Sequence, residues 1–286
     1  MPRLEEQAPA KLNLSLRITA RRPDGYHELD SCVVFTEWAD RLTLVPADEL
    51  ALEIAGPFAA ALGDRPANLV IRAAERLAAH AGRMPNVRLV LDKQIPVAAG
   101  LGGGSADAAA TLRGLNRLWG LHLTTSELVA LALELGADVP VCLLGRSARM
   151  RGIGERIDPV EIPTLDLILV NPQQAVSTAR AFAGLGPIEP PIECAAPMPA
   201  GRSDLLDWLN ACGNDLEAPA RRLAPVIERV LEAIGSQSGC RLARMTGSGA
   251  TCFGVFDDPM AARAAAAAIR RARPEWWVVS TASRRP

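Results

Sequence analysis

Near the start of the chain, apolar and polar residues alternate. Leu12, Leu14, Leu16 and Ile18 take every second position within residues 8–18, and this is the period of a half-buried strand. Other short apolar or alternating runs, bounded by glycine, proline or polar residues, predict further strands. These lie at 29–36, 41–45, 87–91, 165–170, 241–245, 251–256 and 277–280, with strands joined by turns within 140–160.

Helical spacing predicts most of the remaining elements. Residues 68–80 repeat apolar side chains at the spacing of one helical face. Helices are predicted over 68–80, 105–119, 124–135, 203–211, 215–222, 225–235 and 259–271. Ser105 is predicted to cap the second of these helices, and Thr124 or Thr125 the third. Loops are predicted at 137–140 and 184–202.

The order of these elements indicates the fold class. Strands and helices follow one another without a regular βαβ alternation, which favours an α+β fold. A glycine-bearing segment and Pro163 precede a new strand, so a domain boundary is expected near 155–163. We therefore predict an N-terminal domain over residues 1–158 and a C-terminal domain over residues 159–286.

Composition narrows the class of protein. The 286 residues carry a net charge of -1, with 49% hydrophobic and 22% charged residues, the balance of a soluble globular protein. Non-specific nucleic-acid binding needs a basic surplus that this chain lacks. The sequence shows neither a secretory signal nor an apolar run long enough for a membrane span. We expect a cytoplasmic protein, monomeric or weakly dimeric, with no nucleic-acid or membrane partner.

The cysteines give no evidence for a metal site. All six are scattered, without a CxxC pair or a nearby histidine cluster. Reduced thiols are therefore expected, as is usual in the cytosol.

A glycine-rich segment between a predicted strand and a predicted helix is the strongest chemical signal. Residues 96–107 read ProValAlaAlaGlyLeuGlyGlyGlySerAlaAsp. Glycines let several backbone N–H groups approach one anion, and a helix N-terminus adds partial positive charge, so the segment predicts a phosphate site. It fits neither the Walker A pattern nor GxGxxG. The alternative is a tight turn before a helix.

Two charged residues are candidates for catalysis. Lys11 shares the polar face of a predicted strand with Asn13 and Ser15, where a lysine can polarise a hydroxyl or contact phosphate. Asp138 follows a helix end in GlyAlaAspValPro and could accept a proton from an alcohol. The alternatives are a solvated strand face for Lys11 and a turn-forming aspartate for Asp138.

Two turns add weaker signals. Tyr26, the only tyrosine, and His27 follow a turn, and an aromatic ring there could stack on a nucleobase. Ordinary packing would explain them equally well. ThrGlySerGlyAla at 246–250 could approach a phosphate or could form a plain hairpin loop.

Together these segments resemble the GHMP kinase superfamily. Its phosphate loop is similar to residues 96–105, and its C-terminal glycine motif is similar to residues 246–250. The resemblance implies two α+β domains, the first like ribosomal protein S5 domain 2 and the second ferredoxin-like.

A finer resemblance is to the family of 4-diphosphocytidyl-2-C-methyl-D-erythritol kinases. It rests on four segments in order along the chain: AlaProAlaLysLeuAsnLeu at 8–14, ArgProAspGlyTyrHis at 22–27, LeuGlyAlaAspValPro at 135–140 and AsnAspLeuGlu at 214–217. The implied reaction is ATP-dependent phosphorylation of the 2-hydroxyl of the cytidylyl alcohol, a step of non-mevalonate isoprenoid synthesis. The alternatives are a homoserine- or mevalonate-type kinase and a non-catalytic nucleotide-binding regulator.

The resemblance also implies residue roles. Asp138 is the expected general base, and Lys11 is expected to orient it and to offset charge during transfer. The residues expected to bind the substrate are Asn13, Tyr26, His27, Thr178 and Phe182. The residues expected to bind ATP are Asn68, Lys93, Pro96, Val97, Ala98, Ala99, Gly100, Leu101, Gly102, Gly103, Gly104, Ser105 and Ala106. Mg²⁺ is expected to arrive with ATP, without a dedicated protein site.

Overall fold

The structure is a computed structural model, and it describes residues 3–62, 68–188, 199 and 201–285. Its strands are β1 (Leu4–Asn13), β2 (Arg17–Arg21), β3 (His27–Pro46), β4 (Ala51–Ala55), β5 (Val87–Asp92), β6 (Ala148–Gly152), β7 (Arg156–Pro159), β8 (Asp166–Asn171), β9 (Cys240–Met245), β10 (Cys252–Phe256) and β11 (Trp277–Ala282).

The α-helices lie between and after these strands. They are α1 (Leu69–His80), α2 (Gly103–Leu118), α3 (Thr125–Leu135), α4 (Val139–Leu144), α5 (Thr178–Ala183), α6 (Arg202–Cys212), α7 (Glu217–Leu223), α8 (Val226–Gly235) and α9 (Pro259–Ala272). Among the described residues, no helix has the length and apolar character that crossing a membrane requires. The mixture of helices and largely antiparallel sheets confirms the predicted α+β class.

The chain forms two compact units that interleave along the sequence. The first contains Met1–Lys11, Trp38–Val97 and Gly102–Gly145, and the second contains Leu12–Glu37, Ala98–Leu101 and Arg146–Pro286. The predicted phosphate loop, residues 96–106, is therefore divided between the two units. The boundary between residues 158 and 159 stays a prediction.

In the first unit, helices pack on a small sheet. Strand β5 pairs in parallel with β4 and antiparallel with the C-terminal part of β3, with Leu44 opposite Leu89. Helices α1 and α2 pack against each other, and α4 packs on α2. A Cβ at Gly114 of α2 would lie 2.8 Å from a methyl of Leu44, so only glycine permits this approach of helix to sheet.

The second unit contains a separate antiparallel sheet. Its strand order is β11-β8-β10-β9. Helices α8 and α9 pack against its strands and bury Ile227, Val230, Ala266 and Ile269 in the core of this unit. Strand β8 is almost entirely buried, which explains why its sequence is a continuous apolar run rather than an alternating one. The N-terminal part of β3 also lies in this unit and pairs with β2 and β6.

Most predicted elements are confirmed. The errors concern where one strand ends and the next begins, and short elements that were not predicted. The alternation over 8–18 is interrupted between β1 and β2, whereas 29–36 and 41–45 belong to one continuous strand, β3. Strand β4 and helix α5 were not predicted. Each spans only five or six residues, too few to establish a clear period.

Two local predictions are wrong at helix starts. Ser105 does not cap α2, because the helix begins two residues earlier with Gly102 in the left-handed conformation at its N-cap. Residues 137–140 are not a simple loop, because α4 begins at Val139, with Pro140 in its first turn. Thr124 does cap α3, and it forms a reciprocal capping box with Glu127.

The cysteines differ from expectation at one position. Cys32, Cys142, Cys240 and Cys252 are free thiols, and burial raises the pKa of Cys32 and of Cys142 to about 12. Cys212 is disulfide-bonded, so the expectation of reduced thiols is wrong there. Cys194 and most of the predicted loop at 184–202 lie outside the described residues.

Candidate active site

An ion pair joins the two predicted catalytic residues. The Nζ of Lys11 lies 2.7 Å from Oδ1 of Asp138. Lys11 lies near the end of β1 and is only 4% exposed, whereas the Asp138 side chain is 41% exposed. Asp138 stands immediately before α4, at its N-cap position, but its side chain makes no capping hydrogen bond. Its carboxylate is thus fixed by a buried lysine and still accessible to a ligand.

The start of α2 lies directly against this lysine. A Cβ at Gly102 would lie 3.3 Å from Cβ of Lys11, and the residue has φ +62°. Both features favour glycine. No side chain caps the helix at this position, so its first N–H groups have no intrahelical partner and remain suited to an anion.

A second lysine is buried beneath the same helix. The Nζ of Lys93 lies 2.5 Å from Asp40 and 2.6 Å from Asp107, and all three residues are almost fully buried. Asp40 also accepts hydrogen bonds from the N–H groups of Gln94 and Ile95 through Oδ1. The ammonium of Lys93 is therefore held by two carboxylates, and its predicted contact with ATP stays a prediction.

Burial and charge act in opposite directions within this cluster. Burial raises the pKa of Asp107 to about 7, although the charge of Lys93 opposes the shift. Burial by itself lowers the pKa of Lys93, but Asp107 and Asp40 outweigh it and the pKa is raised. Oδ1 of Asp107 is buried and has no hydrogen-bond partner among the described residues.

Asn68 is a predicted nucleotide residue that lies outside the glycine-rich segment. It caps α1, and its Oδ1 accepts a hydrogen bond of 2.9 Å from the N–H of Val70. The next residue, Leu69, is close to the phosphate loop, since a Cβ at Gly104 would lie 3.6 Å from its Cδ1. The cap thus brings the start of α1 to the start of α2.

In the second unit, two glycine-rich turns pack against each other. A Cβ at Gly100 would lie 2.6 Å from the carbonyl oxygen of Thr246, and one at Gly247 would lie 2.7 Å from the carbonyl oxygen of Gly100. The N–H of Thr251 donates to the carbonyl of Ala99. Residues 246–250 form the hairpin loop between the paired strands β9 and β10. This loop also packs against Gly100 of the predicted phosphate loop.

The side chains of the phosphate loop differ in accessibility. Pro96, Ala99, Leu101 and Ala106 are buried, whereas Ala98 and Gly104 are exposed. The buried residues anchor the loop, so any phosphate contacts they make come from the backbone.

Two hydrogen bonds hold Asn13 in place. Its backbone N–H donates to Oγ1 of Thr246 at 2.9 Å, and its side-chain Nδ2 donates to Oγ of Ser31 at 2.7 Å. Ser31 in turn donates to the carbonyl of Ser15. The predicted substrate residue is thus held between β3 and the second glycine turn.

Three predicted substrate residues come together around α5. The rings of His27 and Phe182 are 5.1 Å apart between centroids, and Oγ1 of Thr178 lies 2.8 Å from Oγ of Ser248. Thr178 and Phe182 are four residues apart on the helix and so share a face. Tyr26 is 60% exposed. Burial, with a smaller effect from Arg21, lowers the pKa of His27, which favours a neutral imidazole near pH 7.

Sequence reasoning missed Asp40, Ser31 and Ser248 as parts of this arrangement. Ser248 lies within the glycine motif, which could have signalled it. Asp40 and Ser31 stand in ordinary strand sequence and carry no signal of their own. Among the described residues, no group of three or more histidine, cysteine or acidic side chains could hold a metal ion.

Comparison with known proteins identifies the family. The model for the GHMP kinases N terminal domain matches residues 68–146, and that for GHMP kinases C terminal matches residues 200–275. The 4-diphosphocytidyl-2-C-methyl-D-erythritol kinase of Bradyrhizobium diazoefficiens is 49% identical, with 97% of each chain covered. The chain belongs to this kinase family. The relative of the same name from Rhodospirillum rubrum is 48% identical, with 95% of this chain and 90% of that relative covered.

Solved structures of GHMP kinases share the fold. A crystal structure of 4-(cytidine 5'-diphospho)-2C-methyl-D-erythritol kinase has a TM-score of 0.79 and 37% identity, and it covers 98% of this chain and 100% of that one. Homoserine kinase from Cytophaga hutchinsonii has a TM-score of 0.75 at 19% identity, covering 100% of this chain and 95% of that one. The second likeness concerns the fold alone. These matches confirm the family and the fold predicted from the sequence.

Proposed function

We propose that this chain transfers the γ-phosphoryl group of ATP to the 2-hydroxyl of 4-diphosphocytidyl-2-C-methyl-D-erythritol. The observation that carries the proposal is the Lys11–Asp138 ion pair of 2.7 Å, with Gly102 at the start of α2 packed against Lys11. A carboxylate, an ammonium and uncapped helix N–H groups are the parts that phosphoryl transfer requires, because it depends mainly on positioning and charge stabilisation.

Each part has a separate task in this reaction. Asp138 accepts the proton of the attacking hydroxyl, and Lys11 orients Asp138 and offsets negative charge on the transferred group. Backbone N–H groups at the start of α2 bind phosphate oxygens. Mg²⁺ would arrive with ATP and be held mainly by phosphates and water. Bound in this way, Mg²⁺ would neutralise phosphate charge.

The group around α5 supports a cytidine site in the second unit. Phe182 and Tyr26 supply aromatic faces for stacking, and the lowered pKa of His27 leaves an imidazole that can both donate and accept a hydrogen bond. Thr178 and Asn13 add polar contacts. The cytoplasmic location and the monomeric or weakly dimeric state stay predictions.

The test is ADP release from the purified protein with Mg·ATP and one alcohol at a time. The three alcohols are the cytidylyl methylerythritol, homoserine and mevalonate. Turnover with the first alone supports the proposal. Turnover only with another alcohol would keep the phosphate site and discard the cytidine site, and no turnover with any of them would favour the nucleotide-binding regulator.

Tyr26→Ala tests the cytidine site directly. Loss of one stacking surface should raise KM for the cytidylyl substrate by about tenfold, since stacking on one base contributes roughly 1–3 kcal/mol. KM for ATP should not change. Met84→Ala, which alters another exposed apolar side chain, serves as the control. An unchanged KM for the alcohol would remove Tyr26 from the site.

A further inference from the structure

The side-chain amide of Asn214 binds the backbone at the glycine-rich turn of residues 246–249. Nδ2 of Asn214 donates to the carbonyl of Met245 at 2.8 Å and to the carbonyl of Gly247 at 2.9 Å, while its Oδ1 accepts from the N–H of Leu216 at 3.0 Å. The residue is only 9% exposed. Both donors of this amide are therefore committed to the backbone on either side of Thr246.

Neighbouring residues in the chain reinforce this clamp. Glu217 accepts a hydrogen bond of 3.2 Å from the N–H of Met245. Asp215 accepts one of 2.7 Å from the N–H of Ile18 and pairs with Arg17 at 3.0 Å. Residues 214–217 thus bind the glycine turn and also the strand that follows Asn13.

The clamped turn touches several groups assigned above to the reaction. Thr246 and Gly247 pack against Gly100 of the phosphate loop at distances that exclude a Cβ. Oγ1 of Thr246 accepts from the N–H of Asn13, and Ser248 bonds Thr178. A shift of this turn by a few tenths of an ångström would therefore move the backbone at Gly100.

We propose that Asn214 is a positioning residue for phosphate binding, acting through the 246–249 turn on Gly100. The inference deepens the proposed function and depends on Gly100 contributing to the ATP site. Asn214 itself touches no substrate. Its amide sets the distance between the two glycine turns, so its loss should weaken nucleotide binding beyond any effect on folding.

Asn214→Asp is the decisive variant because it keeps the shape and removes both donors. The new carboxylate would face two carbonyl oxygens, so affinity for a non-hydrolysable ATP analogue with Mg²⁺ should fall about tenfold or more. Affinity relative to wild type should recover as pH falls from about 8 to about 6, because a protonated carboxyl donates one hydrogen bond again. Isothermal titration calorimetry, with the thermal midpoint recorded for each protein, measures both effects.

Asn116→Asp is the matched control. Asn116 also exchanges two hydrogen bonds with one backbone segment, at Leu123, but it lies near the end of α2, away from the turn. The Asn116→Asp variant should be less stable than wild type and should keep its affinity for the nucleotide. If Asn214→Asp behaves in the same way, with unchanged affinity of the folded protein, the proposal is overturned.

A second variant covers the case in which Asn214→Asp does not fold. Gly247→Ala places a methyl 2.7 Å from the carbonyl oxygen of Gly100 and should weaken nucleotide binding similarly, whereas unchanged affinity would contradict the proposal. These titrations need no cytidylyl alcohol. Wild type that binds nucleotide but does not phosphorylate that alcohol would therefore reject only the proposed substrate.

Discussion

Two lysine–aspartate pairs flank the start of α2, and they differ in solvent access. Lys11 pairs with Asp138, whose side chain is 41% exposed. Lys93 pairs with Asp40 and Asp107, whose side chains are at most 4% exposed. Gly102 lies against the first lysine and Gly103 against the second. The two ion pairs lie against neighbouring residues at the start of α2 but differ in the exposure of their carboxylates to solvent.

The difference predicts a catalytic role for the first pair and a structural role for the second. A carboxylate that a substrate hydroxyl can reach can act as a base. The carboxylates of Asp40 and Asp107 are buried, so a substrate hydroxyl cannot reach them. A buried pair of this kind is weak evidence for stability, but it is sensitive to loss of one partner. We therefore expect changes at the first pair to affect turnover, and changes at the second to affect folding.

Asp138→Asn should have the largest effect. Without the base, kcat should fall by about 10²- to 10⁴-fold. The free energy of unfolding should also fall, because the buried ammonium of Lys11 loses its paired carboxylate. ADP release and urea unfolding measure the two quantities. Asp257→Asn, which alters an exposed ion pair with Arg241, is the control. Retained turnover in Asp138→Asn would remove this carboxylate from the mechanism as the base.

The comparison of Lys93→Met with Lys11→Met tests stability at the two pairs. Lys93→Met leaves two buried carboxylates without a cation and should lower the free energy of unfolding by about 3–5 kcal/mol. Lys11→Met leaves Asp138 open to water and should lower it by no more than about 1 kcal/mol. Equal losses of the free energy of unfolding in the two variants would contradict this difference between the two ion pairs.

Asp107→Asn tests the charge of the buried cluster through pH. The folded pKa of Asp107 is raised from 3.8 to about 7, so between these values the folded state binds more protons than the unfolded state. Stability from this group therefore falls as pH rises through that window, by up to about 1.4 kcal/mol per pH unit. Asp107→Asn should remove this slope. Urea unfolding at several pH values between about 4 and 7 compares it with wild type, and an identical slope would refute the assignment.

Gly103→Ala should have the smallest effect. The new methyl would lie 3.1 Å from Nζ of Lys93, which two carboxylates hold in place, so crowding should outweigh the helix preference for alanine and destabilise the protein by about 1 kcal/mol. Gly102→Ala would place alanine at a position with φ +62° and would crowd Lys11. It should therefore reduce turnover as well. Thermal unfolding and ADP release distinguish them, and a stabilised Gly103→Ala would show that the cluster adapts.

The sequence predicted the regular elements and the main site residues because both have local signals. Period-two and helical patterns identified most strands and helices, and the glycines of residues 96–106 predicted a phosphate loop. The start of α2 was misplaced because a polar residue, Ser105, suggested a cap, whereas Gly102 begins the helix with no side-chain cap at all. The spacing of Tyr26, His27 and Phe182 in the sequence could not predict that two of these rings meet.

The sequence by itself determined the family and the fold class, and it singled out Lys11 and Asp138 as candidates for catalysis. These depend on ordered motifs and on chemistry carried by single residue types. Only the tertiary structure decided that Lys93 is enclosed by Asp40 and Asp107, and that Asn214 clamps the turn against which Gly100 packs. Those facts depend on burial and on distances between residues far apart in the chain, which no local pattern encodes.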